Sequence, residues 1–79
     1  MNKPEIINQL QELARITFND KNIVLNAGMV MEDISGWDSL THIMFLEKIE
    51  KCFAIKFSFD EMLTLNDINS VCESVLNKI

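Results

Sequence analysis

The sequence predicts an all-α domain: a four-helix bundle with a long first loop and a short third helix. Over three stretches of the chain, apolar residues recur every three or four positions, which is the spacing of an amphipathic helix. The 79 residues include only two glycines and one proline, and 48% of them are hydrophobic, which favours an ordered fold over disorder. A chain of this length suits one domain, which we expect to span residues 1–79.

The first helix is predicted from Pro4 to about Phe18. Pro4 suits a first helical turn, and Glu5 faces the positive end of the helix dipole. The apolar stripe consists of Ile6, Ile7, Leu10, Leu13, Ala14 and Thr17. The opposite face carries Asn8, Gln9, Gln11, Glu12 and Arg15, so we expect the stripe to pack on the rest of the bundle.

Residues 19–38 follow no clean period and are rich in turn-forming residues. We expect the apolar residues of this loop to lie against the bundle; they are Ile23, Val24, Leu25, Met29, Val30, Met31 and Ile34. Loops of this length are unusual in a compact domain unless they are functional. This loop leads directly to the stretch Gly36–Leu40.

The second helix is predicted over Ser39–Phe53. A step of 100° per residue places on one broad face His42, Ile43, Phe45, Leu46, Ile49 and Phe53. It places on the opposite face Leu40, Met44, Glu47, Lys48 and Lys51. Leu40 and Met44 are therefore expected to be exposed close to Ser39, where two neighbouring apolar residues indicate a contact patch.

Residues 54–59 alternate between apolar and polar side chains, which is a strand pattern. The chain offers no good second strand, and an isolated strand is not stable. We therefore expect an extended crossover that presses Ile55, Phe57 and Phe59 onto the bundle. Ser58 and Glu61 have the spacing of a capping box, which predicts a short third helix through about Leu63.

The last helix has the cleanest amphipathic pattern in the chain, with Asn66 or Asp67 as its N-cap. Its stripe comprises Ile68, Val71, Cys72, Val75, Leu76 and Ile79. The two cysteines, Cys52 and Cys72, form no C-x-x-C motif and have no histidine cluster beside them. We expect two reduced thiols in or near the helical core, although the sequence leaves a disulfide between them open.

The formal net charge of −5 disfavours nucleic acids and anionic membrane surfaces as partners, because phosphate binding needs clustered Lys and Arg. It favours a partner with a basic face. The sequence has no apolar run long enough to span a membrane, and its N-terminus does not resemble a signal peptide. Together with reduced cysteines, these features predict a cytoplasmic protein.

Ser39 is the residue of greatest functional interest, because it lies where the long loop ends and the second helix begins. Asp38 or Ser39 suits the N-cap, and an anionic group on Ser39 would face the positive end of the helix dipole. The alternative is that Ser39 is a plain cap.

Catalysis and metal binding fit the sequence poorly. A serine hydrolase needs a base, an orienting acid and an oxyanion hole, but the flanking sequence is not G-x-S-x-G. The only histidine, His42, falls on the core face of the second helix, which favours a packed histidine. A calcium loop starting at Asp33 lacks the required glycine and glutamate, and neither a zinc spacing nor a phosphate loop is present. We therefore expect no catalytic residue, no metal site and no enzymatic activity.

At Trp37-Asp38-Ser39-Leu40, and further through the second helix, Ile55-Lys56-Phe57, Asp60-Glu61 and Leu65 to Val71, the chain resembles the acyl carrier protein family. The match is continuous from about Glu32 to Val75. It implies an acyl-carrier-like, monomeric four-helix bundle in which Ser39 accepts 4'-phosphopantetheine from coenzyme A through a magnesium-dependent transferase. An acyl or aminoacyl group then rides as a thioester on the thiol of that arm and is presented to loading and acyl-using enzymes.

In this family Asp38 would help the transferase and its metal engage the site. The positions that partner enzymes of the family contact correspond to Leu40, Ile43, Met44, Glu47 and Glu50.

The second helix departs from that of fatty-acid carriers, which is strongly acidic. Here Lys48 and Lys51 offset the two glutamates, and Met44 stands where an acid is frequent. These departures argue against the general fatty-acid carrier. Trp37 before the aspartate, with the extra loop residue around Ser35-Gly36, looks more like dedicated carriers of secondary-metabolite, polysaccharide or aminoacyl pathways. Two alternatives remain open at this point: a helical protein-interaction module in which Ser39 is only a helix cap, and an unmodified carrier-like subunit.

Overall fold

The computed structural model describes residues 1–79 and contains four α-helices and no β-strand. The helices are α1 (Lys3–Thr17), α2 (Ser39–Phe53), α3 (Phe59–Thr64) and α4 (Ile68–Lys78). A 3₁₀ turn at Met31–Asp33 interrupts the loop between α1 and α2. The predicted all-α bundle, with its long first loop and short third helix, is confirmed, and α2 has the predicted bounds.

The core forms where α1 packs against α2 and α4. α1 starts at Lys3, one residue before the predicted start, because Asn2 and Glu5 form a capping box around its first turn. The side chains of the core that are fully shielded from solvent include Ile6 and Leu10 of α1, Phe45, Leu46 and Ile49 of α2, and Ile68, Val71, Cys72 and Val75 of α4. The predicted stripes of α1 and α4 are thus largely confirmed, but Ile79 lies beyond α4 and is exposed.

The face of α2 is predicted correctly except at its edge. Leu40 and Met44 are exposed, as expected, whereas His42 is buried beside Phe45. Ile43 was expected in the core and is instead 43% exposed. It lies on the side of α2 that faces α3, and a helix of six residues covers too little of that side to bury it.

The loop between α1 and α2 lies against the bundle and is held there by side-chain hydrogen bonds. Arg15 donates from Nε to the Ile23 carbonyl oxygen at 2.8 Å, and the Leu25 amide donates to Oε1 of Gln11 at 2.9 Å. These bonds satisfy backbone groups that would otherwise lie unpaired beside the core. Ile23, Leu25 and Ile34 are buried as expected, but two valines are exposed, contrary to prediction: Val24 and Val30.

The crossover after α2 is extended, as predicted, and buries Ile55 and Phe57. Phe59, in contrast, is 74% exposed. Ser58 caps α3 and forms the predicted capping box with Glu61, so Phe59 is the first residue of the helix. The alternation of buried and exposed side chains in the extended crossover therefore ends before Phe59.

Cys72 is buried in α4, and burial raises the pKa of its thiol. Cys52 is exposed on α2, so the expected position in or near the core is correct only for Cys72. Both cysteines are free thiols. None of the helices is both long and apolar enough to cross a membrane.

Candidate functional site

Asp38, and not Ser39, caps α2. The Asp38 carboxylate accepts hydrogen bonds from the amides of Leu40 and Thr41, each at 3.0 Å. In return, the Asp38 amide donates to the Thr41 hydroxyl oxygen at 2.8 Å. This capping box pairs the amides of Leu40 and Thr41 in the first turn. Ser39 therefore occupies the first helical position and has no capping role.

The chain reaches Ser39 through a tight approach that is anchored in the core. Gly36 has a φ of +90°, a backbone conformation that residues with a side chain rarely adopt. A Cβ at this position would lie 3.4 Å from the Phe18 carbonyl oxygen. Trp37 is only 5% exposed and stacks on Phe18, with 5.7 Å between ring centroids. Trp37 therefore turns into the core and leaves Ser39 exposed to solvent.

The Ser39 hydroxyl has no hydrogen-bond partner within the chain, and neither does the Ser39 amide. Beside it, the hydrogen bond from the Thr41 amide is the main cause that lowers the pKa of the Asp38 carboxyl group below its ordinary value. One Asp38 oxygen accepts the capping bonds, and its Oδ2 has no partner within the chain. The residue that carries the exposed hydroxyl thus has a free amide donor and directly follows a charged carboxylate in the chain.

Ser39 lies on the rim of an apolar groove between α2 and α3, with a volume of about 370 Å³. The groove is lined by Met31, Ser39, His42, Ile43, Phe59, Met62, Leu63 and Asn66. Five of these eight residues are hydrophobic, so the space beside the hydroxyl suits an apolar group. A larger depression of about 590 Å³ includes Glu47 and Glu50, but Ser39 is not among its lining residues.

His42 lines the groove but cannot take a proton from Ser39 in this arrangement. Its Nδ1 accepts a hydrogen bond from Nε1 of Trp37 at 2.9 Å, and its Nε2 lies 2.7 Å from the Met62 carbonyl oxygen. Both ring nitrogens are therefore occupied, and the ring is buried. The interpretation of His42 as a packed histidine is confirmed.

The predicted partner-contact residues do not form one uniform surface. Leu40, Ile43, Met44 and Glu47 are exposed along α2. Glu50 is half-buried, and its Oε2 accepts a hydrogen bond from the Phe57 amide at 2.8 Å. That carboxylate holds the crossover in place, which a sequence pattern of charges does not reveal.

Two residues of α3 near Ser39 were missed in the sequence. Phe59 and Leu63 line the groove and are 74% and 65% exposed. The capping box at Ser58 was the available signal, because it makes Phe59 the first residue of a helix. Both helices therefore expose apolar side chains: α2 exposes Leu40, Ile43 and Met44, and α3 exposes Phe59 and Leu63. Of these, Ile43, Phe59 and Leu63 line the same groove as Ser39.

The fold and site together define a small helical bundle that presents a free serine hydroxyl at a helix start, next to an apolar groove. Comparisons with protein-family models, with curated proteins and with solved structures found no match.

Proposed function

We propose that this protein is a discrete acyl carrier protein with 4'-phosphopantetheine attached to Ser39. The observation that carries the proposal is the Ser39 hydroxyl: it is exposed, free of partners and placed at the first residue of α2. The resemblance of residues 32–75 to the acyl carrier family supports the same assignment. In a cap, this oxygen would bond to an amide of the first turn, whereas here Asp38 performs that task.

The attachment is a phosphoryl-type transfer that needs no catalytic group from this chain. Ser39 Oγ forms a bond to the phosphorus that carries the pantetheine arm, and the pyrophosphate P–O bond of coenzyme A breaks. Adenosine 3',5'-bisphosphate leaves, and the transferase takes the serine proton. This division of labour does not need His42, whose two ring nitrogens are both occupied.

The electrostatics of the site neither oppose nor strongly favour the attached phosphate. The α2 dipole and the free Ser39 amide favour an anion by roughly 0.3–1 kcal/mol. The charged Asp38 opposes it, because two negative charges on neighbouring residues repel each other. Because the two effects have opposite signs, attachment is expected to change the stability of the bundle little.

The groove supports an apolar cargo. Although His42 lines it, both ring nitrogens are occupied, so the ring offers the cargo no free hydrogen-bonding atom. Covering the exposed parts of Ile43, Phe59 and Leu63 with a hydrocarbon chain would be favourable by about 25 cal/mol for each Å² of apolar surface removed from water. We propose an acyl chain over a polar aminoacyl group as the cargo.

The proposed partners are the transferase and the enzymes that load and use the acyl group. Each of them must reach the end of α2 at Ser39 and would cover the exposed apolar residues around it. The four charged residues in the second half of α2 are Glu47, Lys48, Glu50 and Lys51, and their charges cancel. Recognition is therefore proposed to depend on apolar contact more than on an acidic helix, with the protein acting as a monomer in the cytoplasm.

The test is modification in vitro, followed by intact-mass measurement. The protein is incubated with coenzyme A, Mg²⁺ and a broad-specificity phosphopantetheinyl transferase. The wild type and the control variant Ser35→Ala, which alters an exposed serine in the loop before α2, should gain the mass of one 4'-phosphopantetheinyl group. Ser39→Ala should gain nothing. An unmodified wild type, or an adduct on Ser39→Ala, would contradict the proposal and favour an interaction module or an unmodified subunit.

A further inference from the structure

α3 contributes little to the core, because Met62 is its only side chain that packs, partly buried, against the core residues. None of its six residues is buried, whereas the residues on either side of it, Phe57 and Leu65, are only 7% and 8% exposed. Residues 58–64 therefore form a short helical segment between two core anchors. Since Phe59, Met62 and Leu63 line the groove, this segment is one of its walls.

A hydrogen-bond chain connects this wall to α2 across the floor of the groove. An indole N–H can only donate, so the 2.9 Å contact from Trp37 makes Nδ1 of His42 an acceptor. In the neutral ring the proton then lies on Nε2, which donates to the Met62 carbonyl oxygen at 2.7 Å.

The Met62 carbonyl oxygen accepts no hydrogen bond from the backbone amide that would normally pair with it. In a continuing helix it would accept from the Asn66 amide, but that amide donates to the Thr64 carbonyl oxygen at 3.0 Å. It is thus one of the carbonyl groups that a helix leaves unpaired at its C-terminal end. His42 supplies the missing partner.

We propose that Trp37 and His42 form a latch that holds α3 on α2, with Trp37 fixing the tautomer that His42 needs. When the latch is released, residues 58–64 move as a unit between the anchors Phe57 and Leu65 and widen the groove. The other ties of α3 run to α4: Glu61 accepts from the Ser74 hydroxyl at 2.7 Å and pairs with Lys78 at 3.0 Å. These groups are more exposed than His42, so their bonds contribute less to holding α3.

The latch does not depend on the carrier function, so the unmodified protein is used to test it. Amide hydrogen exchange is followed by NMR at Met62 and Leu65, whose amides donate to the carbonyl groups of Ser58 and Glu61. His42→Leu removes both hydrogen bonds. His42→Gln keeps one acceptor and one donor, so it is the matched control.

In His42→Leu, the α3 amides should exchange about tenfold faster, the size expected for the loss of one or two hydrogen bonds. Amides in the interiors of α1 and α4 should be unchanged, and His42→Gln should resemble the wild type. The latch is overturned if α3 amides show no protection in the wild type, if they are unchanged in His42→Leu, or if His42→Gln fails to restore them. Equal acceleration in every helix would also overturn it, because His42 would then be only a core residue.

The tautomer gives a second, independent readout. Imidazole ¹⁵N NMR should show His42 protonated at Nε2 in the wild type. Trp37→Phe keeps an aromatic ring but lacks the indole N–H, so the share of the Nδ1-protonated tautomer should rise, although the Met62 carbonyl oxygen still favours Nε2–H. A wild-type ring protonated at Nδ1, or a tautomer that does not respond to Trp37→Phe, would contradict the role assigned to Trp37.

Discussion

At the scale of single residues, Asp38 and Ser39 have different tasks although they are neighbours. Asp38 accepts two amide hydrogen bonds and stabilises the first turn of α2. Ser39 is exposed, and neither its hydroxyl nor its amide forms a hydrogen bond within the chain. This separation matters for the proposed function, because an attachment residue should be replaceable without loss of the fold.

Stability measurements should separate the two tasks. Asp38→Ala is expected to lower the free energy of unfolding by about 1 kcal/mol, because an N-cap is lost. Ser39→Ala should change it by less than about 0.5 kcal/mol, as for a surface substitution without partners. Urea unfolding at neutral pH checks both. A loss in Ser39→Ala equal to that in Asp38→Ala would mean that the serine stabilises the helix after all.

The sequence alone could not choose between Asp38 and Ser39, because both residue types are good caps. The choice depends on the residue three positions later: Thr41 can complete a capping box with Asp38, whereas His42 cannot do so with Ser39.

Glu50, Gln11 and Arg15 illustrate a further limit of sequence-based prediction. Their side chains bond to backbone groups that lie 7, 14 and 8 residues away, and helical periodicity carries no information on such bonds.

At the scale of elements, Glu61 completes the cap of α3 and links α3 to α4. Its carboxylate accepts from the Ser58 amide, accepts from the Ser74 hydroxyl and pairs with Lys78. The hydrogen bond from the Ser58 amide is the main cause that lowers the pKa of Glu61 from 4.5 to about 2, followed by the bond from Ser74. A carboxyl group whose folded-state pKa is lowered stabilises the fold above its unfolded pKa, and that stabilisation is lost as the pH falls.

Glu61→Gln should therefore be less stable than the wild type at neutral pH, and the difference should shrink as the pH falls from 4.5 to about 2. Glutamine can still accept the Ser58 amide, so the cap is kept while the charge is removed. Thermal unfolding across this pH range measures the effect, with Glu32→Gln as the control because Glu32 has no hydrogen-bond or ion-pair partner. A difference between wild type and Glu61→Gln that is independent of pH would contradict the assigned role.

The elements differ in how far the sequence predicts them. α1, α2 and α4 follow from periodicity, because positions such as Leu10, Phe45 and Val71 are fully buried in the shared core. α3 follows from its capping box, but its orientation does not, because no residue of α3 is buried. Phe59 and Ile43 were misplaced for this reason: both lie at the α2–α3 groove, where exposure depends on how α3 packs.

At the scale of the whole molecule, the bundle combines a fully buried core with a groove wall that has no fully buried residue. The core between α1, α2 and α4 fixes the start of α2 through Trp37, which packs on Phe18 and Phe45. The groove wall formed by α3 has no fully buried residue and is held by hydrogen bonds to His42 and Ser74 and by the partly buried Met62. A carrier would need both properties, since its attachment residue must be presented in one geometry while the adjacent groove accommodates the cargo.

The central claim is that Ser39 carries a flexible thiol arm, and the most direct test is the intact mass of the protein isolated from its own host. The account predicts a wild-type species heavier by one 4'-phosphopantetheinyl group, with or without a thioester-linked acyl group that hydroxylamine removes. The Ser39→Ala variant from the same host should have the mass of the bare chain. A wild-type protein found only at its unmodified mass, in cells whose other carrier proteins are modified, would contradict the claim.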